Sequence, residues 1–211
     1  MIETTLSPEH AAQRLGRVTA SRIADVMAKT KTGWGASRQN YRAQLVAERL
    51  TGVQGSSYVN AEMLWGIEQE EHARNAYEFI RGCDVAPGGF VLHATYDMAG
   101  ASPDGLVGDD GLVEIKCPNT ATHIDTLLGT EIDRKYVLQM QFQMMCTRRV
   151  WCDFVSYDPR LPASMQLYIK RLDWNQELAI EMNQAVKVFL GEVNTIVDEL
   201  RAKYEPQEVA A

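Results

Sequence analysis

The sequence predicts an α/β fold: a small mixed central sheet flanked by helices. Strand-like alternation clusters in the middle of the chain, and helical periodicity flanks it on both sides. No internal repeat, low-complexity tract or linker divides the 211 residues, so one domain over residues 1–211 is expected. At 45% hydrophobic and 23% charged residues, the chain has enough apolar material for a real core.

The elements follow in order. A short helix near 7–15 precedes a second near 19–28 and a third from about 37 to 51. Asn60 can cap a long helix from about 61 to 81, which Gly82 ends. Strands are expected at 89–94, 97–101 and 112–117, then helices near 120–128 and 134–147. VWCDFVSYD (150–158) and MQLYIKRL (165–172) read as strands around a Pro159–Pro162 turn, and a helix from about 174 to 203 closes the chain.

Composition narrows the function classes. No apolar run approaches the ~18 residues of a membrane span, and the start, MIETTLSPEH, lacks a basic stretch leading into an apolar one. Cys83, Cys117, Cys146 and Cys152 show neither CxxC nor zinc spacing, so free thiols in a reducing cytoplasm are expected. The net charge of −7 argues against nucleic acid, but its distribution does not. Residues 1–52 carry eight Lys and Arg against four Asp and Glu, and the rest of the chain is acidic. Lys29, Lys31, Arg38 and Arg42 surround TKTGWGASRQN, which reads either as a solvated loop and helix face or as a contact for a polyanion.

The chemistry concentrates in SPDGLVGDDGLVEIKCP, residues 102–118. Ser-Pro-Asp-Gly fits a β-turn, and Asp110-Gly111 is a two-residue hairpin signal. On the following strand Val113 and Ile115 share one face, Glu114 and Lys116 the other. Such a hairpin folds Asp104 back beside Glu114. Hard carboxylate oxygens suit Mg²⁺, with the Ile115 carbonyl between Glu114 and Lys116, and such an ion activates water against a phosphodiester. Lys116 can position that water or the phosphate. The plainer reading is a common turn followed by an exposed Glu–Lys pair. Glu70 and Gln141 stand in otherwise apolar or small-residue helical stripes, where they either reach solvent or serve a site. His72 reads as exposed and His93 as a strand-face residue, while His10 and His123 have no partner legible in the sequence.

Several further segments bear on these readings: RLGRVTAS (14–21), WGIEQEEHAR (65–74), SPDGL (102–106), LVEIKCP (112–118), YVLQMQF (136–142) and YDPR (157–160). Together, in this order, they resemble the lambda-exonuclease-like viral alkaline exonucleases of the PD-(D/E)XK nuclease superfamily. The resemblance implies a restriction-endonuclease-like core. It also implies a Mg²⁺-dependent 5′→3′ exonuclease, with Mn²⁺ as a substitute, that degrades one strand of double-stranded DNA from its ends in phage-type recombination. By motif position Asp104, Glu114 and the Ile115 carbonyl would be metal ligands, Lys116 the catalytic lysine, and Glu70 and Gln141 catalytic neighbours. Arg14, Ser21 and Ser102 would bind the terminal 5′-phosphate, Lys31 would reach over the DNA, and Met63 would stand near an apolar wedge, one residue out of register. The implied partners are a single-strand annealing protein and further copies of the chain in a ring-shaped trimer, in the cytoplasm of a bacterium or phage-infected host. A structure-specific PD-(D/E)XK endonuclease and a non-catalytic DNA-end-binding module are the alternatives.

Overall fold

The structure, a computed structural model, describes residues 8–31, 33–55, 61–129 and 131–205. Helix α1 (Pro8–Arg14) leads into strand β1 (Val18–Thr19), a 3-10 turn (Ala20–Arg22) and helix α2 (Ile23–Val26). The helix expected near 19–28 is thus broken. Val18 and Thr19 pair in parallel with Ala99 and Gly100, a partner about eighty residues away that no local propensity announces. A small hairpin, β2 (Lys29–Thr30) and β3 (Gly33–Trp34), precedes helix α3 (Ala36–Thr51), which ends on left-handed Gly52.

The long helix α4 (Ala61–Arg81) has the expected bounds and stops before Gly82, whose φ is +61°. Its expected cap, Asn60, lies outside the described residues. Short strands β4 (Val85–Ala86), β5 (Val91–Leu92), β6 (Ala99–Ala101) and β7 (Gly105–Val107) follow, then β8 (Gly111–Lys116). The β7–β8 hairpin pairs Val107 with Gly111, so its loop is residues 108–110 with left-handed Gly108, longer than the Asp110-Gly111 turn expected. Gly111 instead lies inside the strand under Trp151: a Cβ there would come within 2.0 Å of the indole. Helices α5 (Thr120–Leu127) and α6 (Arg134–Thr147), strands β9 (Trp151–Tyr157) and β10 (Leu167–Asp173), and helix α7 (Gln176–Tyr204) complete the chain. Asn119, Asp133 and Asn175 cap α5, α6 and α7 through side-chain oxygens.

The main sheet runs β10-β9-β8-β7-β4, antiparallel except for the parallel pair β8–β9. A second sheet, β1-β6-β5, lies in the N-terminal half. One face of β8 and β9 packs Val113, Ile115 and Val155 against Ala73 and Tyr77 of α4. The other packs Leu112, Cys152 and Phe154 against Met140 and Met144 of α6. The largest core joins α2, α3, α6 and α7 through residues such as Ile23, Tyr41, Leu45, Phe142 and Phe189. Helix α6 is therefore enclosed by the sheet on one side and the helices on the other. That double burial makes its polar residues the centre of the story.

The basic N-terminal region is less free than its charge count implies. Arg38, 1% exposed, pairs with Glu192 through both terminal nitrogens (2.6 and 3.0 Å) and lies against Trp34 and Phe189. Arg42 reaches the same carboxylate at 3.0 Å. Two of the four cations expected around TKTGWGASRQN thus tie α3 to α7. All four cysteines are free thiols. No helix among the described residues is long and apolar enough to cross a membrane.

Candidate active site

Asp104 and Glu114 meet because the β7–β8 hairpin folds the 102–104 turn back on β8. Asp104 Oδ2 accepts the Ile115 N–H at 2.7 Å. Glu114 is fully buried on the α6 face, and three donors converge on it. Gln139 Nε2 donates to Oε1 and Gln143 Nε2 to Oε2, each at 2.6 Å, while Lys116 forms an ion pair with Oε1. Lys116 also lies over the Tyr136 ring, 5.2 Å from its centroid.

The electrostatics follow from burying two carboxyl groups beside one ammonium. Burial, and next the Glu114 charge, push the Asp104 carboxyl up to about 8. Burial alone would lower the Lys116 pKa, but the Glu114 and Asp104 carboxylates outweigh it and hold the ammonium protonated. Two carboxyl groups in one dry place repel unless a proton or a cation sits between them. Among the described residues no three His, Cys, Asp or Glu side chains form a closed metal cage. By its chemistry, a donor set of two carboxylates and the Ile115 carbonyl suits a hard divalent ion such as Mg²⁺.

With Glu114 buried behind them, Asp104, Ile115 and Lys116 line a cleft of about 410 Å³ together with Met63, Gly66, Glu70 and Tyr136 among others. Glu70 stands at its rim, held by Arg74 Nη2 at 2.9 Å, and the same nitrogen donates to the Asp104 carbonyl at 3.2 Å. Met63, 48% exposed, lies at the mouth. Cys117 also lines the cleft, but burial lifts its thiol to about 12, so it is no thiolate nucleophile at neutral pH.

A second cluster borders the first. Arg14, at the end of α1, donates to Ser102 Oγ at 3.2 Å and to Ser21 Oγ at 3.3 Å. Among the described residues no carboxylate pairs with it, and burial pulls its pKa below the ordinary value. A desolvated guanidinium facing two hydroxyls can receive an oxyanion. Ser102 and Asp104 belong to one turn, which links this cluster to the carboxylate pair.

One expected residue lies elsewhere. Gln141 donates to the Asp173 carbonyl at 2.8 Å and accepts the Asn175 N–H at 2.9 Å, joining α6 to the β10–α7 corner. It points away from Glu114 because two residues on a helix turn the side chain through about 200°. Gln139 and Gln143, one turn apart, take the carboxylate instead. Lys31 is exposed in the β2–β3 turn and is not among the residues lining the cleft.

The remaining motif residues brace the site. Burial would raise the Asp158 pKa, but hydrogen bonds from Arg160 and Thr120 hold it down to about 2. Arg160 also donates to the Pro118 carbonyl at 3.1 Å and lies over the Trp65 ring, 4.5 Å from its centroid. That one side chain joins the WGIEQEE, IKCP and YDPR segments. His123, without a partner in the sequence reading, is buried between Ser156 Oγ (2.7 Å) and the Met165 carbonyl (2.9 Å). His93 is also buried, stacked between Tyr96 and Phe142.

Comparison with known proteins gives a consistent picture. Residues 9–149 match the family model described as the YqaJ-like viral recombinase domain. The crystal structure of an alkaline exonuclease (LHK-Exo) from Laribacter hongkongensis is 50% identical, covering 93% of this chain and 97% of that one, with a TM-score of 0.87. The structure of LHK-Exo in complex with dAMP gives the same values. A phage related exonuclease from Haemophilus somnus 129PT shares the fold at 14% identity and a TM-score of 0.68, over 87% of this chain and 96% of that one. No curated protein matches.

Proposed function

Because the chain belongs to the lambda-exonuclease-like viral alkaline exonucleases, with a YqaJ-like viral recombinase domain, we propose that it is a Mg²⁺-dependent 5′→3′ exonuclease acting on one strand of duplex DNA. A DNA exonuclease of recombination follows from the family itself. Action at ends is supported by one observation: Ser102, which accepts a hydrogen bond from Arg14, lies two residues from Asp104 in the same turn. An enzyme that holds a terminal phosphate a fixed short distance from the hydrolytic groups cuts next to an end. A structure-specific endonuclease has no use for that coupling, and a non-catalytic module has no use for the carboxylates.

In this reading Arg14, with Ser21 and Ser102, binds the terminal 5′-phosphate through charge-assisted hydrogen bonds. Asp104, Glu114 and the Ile115 carbonyl would hold Mg²⁺, which when bound supplies an activated water and neutralises charge on the scissile phosphate. Protonated Lys116 orients that water and faces the phosphate. Gln139 fixes the Glu114 carboxylate, and Glu70 with Arg74 shapes the rim. Met63 at the cleft mouth would press against the terminal base pair, and Lys31 in its hairpin would meet the duplex backbone. Mn²⁺ would substitute for Mg²⁺, and a single-strand annealing protein would receive the exposed strand.

The test is digestion of linear duplexes labelled separately at each strand end, with a covalently closed circle as control. Release of label from 5′-phosphorylated ends in Mg²⁺, with an intact circle, is the expected result; cutting of the circle points to the endonuclease. Arg14→Ala is expected to slow 5′-phosphorylated ends by roughly 10- to 100-fold and to narrow their advantage over 5′-hydroxyl ends. Equal loss on both kinds of end would make Arg14 structural.

The charge distribution supports a ring. A chain of net charge −7 repels DNA over most of its surface, so retaining a strand over many cuts calls for enclosure. A closed trimer with the cleft facing its channel provides it. Light scattering is expected to give about three times 23.7 kDa. A processive monomer would defeat the ring.

A further inference from the structure

We infer that Gln143 is a positioning residue for the metal ligand Glu114: its side-chain amide fixes the plane of that carboxylate against the pull of Lys116. The inference rests on the proposed metal site and deepens it. Three observations carry it.

Lys116 and Gln139 both act on Oε1, whereas the hydrogen bond found on Oε2 comes from Gln143 at 2.6 Å. Without Gln143 the stronger, charged partner on Oε1 would turn the carboxylate about its last bond. The opposing amide removes that freedom.

Gln143 is fully buried, and its own Oε1 has no hydrogen-bond partner among the described residues. Methionine or leucine at this position, beside Met140 and Met144, would avoid an unsatisfied buried acceptor. A side chain that carries this penalty inside the core has its use in the donor it presents.

The donor is neutral. Lys116 already places one positive charge on Glu114, and a lysine or arginine at 143 would add a second; an amide orients the other oxygen without adding charge. Gln139, one helical turn earlier, is its pair, so two amides on one face of α6 hold the carboxylate from both sides.

The experiment measures Mn²⁺ binding to the full-length protein by calorimetry, with thermal denaturation of the metal-free protein alongside. Q143M, which keeps the length of the side chain and removes both the donor and the acceptor of its amide, is expected to bind Mn²⁺ roughly 10- to 100-fold more weakly. Its metal-free melting temperature is expected to fall modestly, because Glu114 Oε2 loses its donor while the unsatisfied Gln143 acceptor disappears. Q143L, of different shape, guards against a packing fault peculiar to one replacement and is expected to show the same loss of affinity. Unchanged Mn²⁺ affinity in a folded variant overturns the inference, and so does a loss of affinity confined to one of the two variants. A wild-type protein that binds no Mn²⁺ overturns the metal reading itself, and the inference with it.

Discussion

Lys116→Met is expected to slow strand digestion by roughly 10²- to 10⁴-fold while leaving the fold intact. The lysine ends β8 with its side chain 28% exposed, paired to Glu114 and resting on Tyr136. The neighbouring carboxylates keep it protonated despite burial. In the proposed mechanism it is a fixed positive donor, which would hold a water and stabilise charge gathering on the phosphate. Methionine fills similar space and supplies neither function. Lys116→Arg is expected to recover only part of the rate, because a planar fork does not place its donors where a compact ammonium does. Single-turnover digestion of an end-labelled duplex, with circular dichroism as the check on folding, decides. A near wild-type rate would remove Lys116 from the mechanism.

Asp104→Asn is expected to abolish hydrolysis and at the same time to stabilise the metal-free protein at alkaline pH. The carboxyl ionises near 3.8 when unfolded and near 8 in the folded chain. Between those values the folded state binds the extra proton, so stability falls as pH rises through that window. Asparagine removes the dependence and still offers an oxygen to the Ile115 N–H. The gain is expected to be about 1–3 kcal/mol above pH 8, roughly 2–12 °C in melting temperature for a chain of this size, and to vanish near pH 4. Thermal denaturation in chelator across that range measures it. An equal shift at every pH would show that the repulsion is not the cause.

Glu114 differs. Considered as repulsion alone, both carboxylates would be dispensable to the fold. Yet removing Glu114 strands two glutamine amides and an ammonium inside the protein. Its loss costs stability where that of Asp104 adds it.

These contrasts mark where the sequence stops being legible. The bounds of α4 and α6 follow from periodicity and from end signals such as Gly82. Turn chemistry places Asp104 beside the Glu114 strand, and the spacing of Arg14, Ser21 and Ser102 holds only because the motifs come in family order. Two- and three-residue strands such as β1, β4 and β7 are different. Their partners define them, and β1 finds its partner about eighty residues on. Gln141 is the glutamine expected near the site, yet it turns to Asp173 and Asn175 while Gln139 and Gln143 face Glu114, for another reason. A helix buried on both sides has no single apolar stripe to orient it. The usable signal was the four-residue spacing of Gln139 and Gln143, which puts two amides on one face.

The parallel pairing of β8 with β9 has a consequence for biosynthesis. Residues 111–116 must wait for 151–157 before that edge of the strand is covered, and Glu114 waits for 139 and 143 before its oxygens are held. At about 5–20 residues per second, the ribosome leaves the hairpin incomplete for on the order of a few seconds after it emerges. During that interval the chain presents acidic groups with no organised partners. The crossover through α5 and α6 thus acts as a timer, and a nascent nuclease acquires the means to cut only when most of its length has been made.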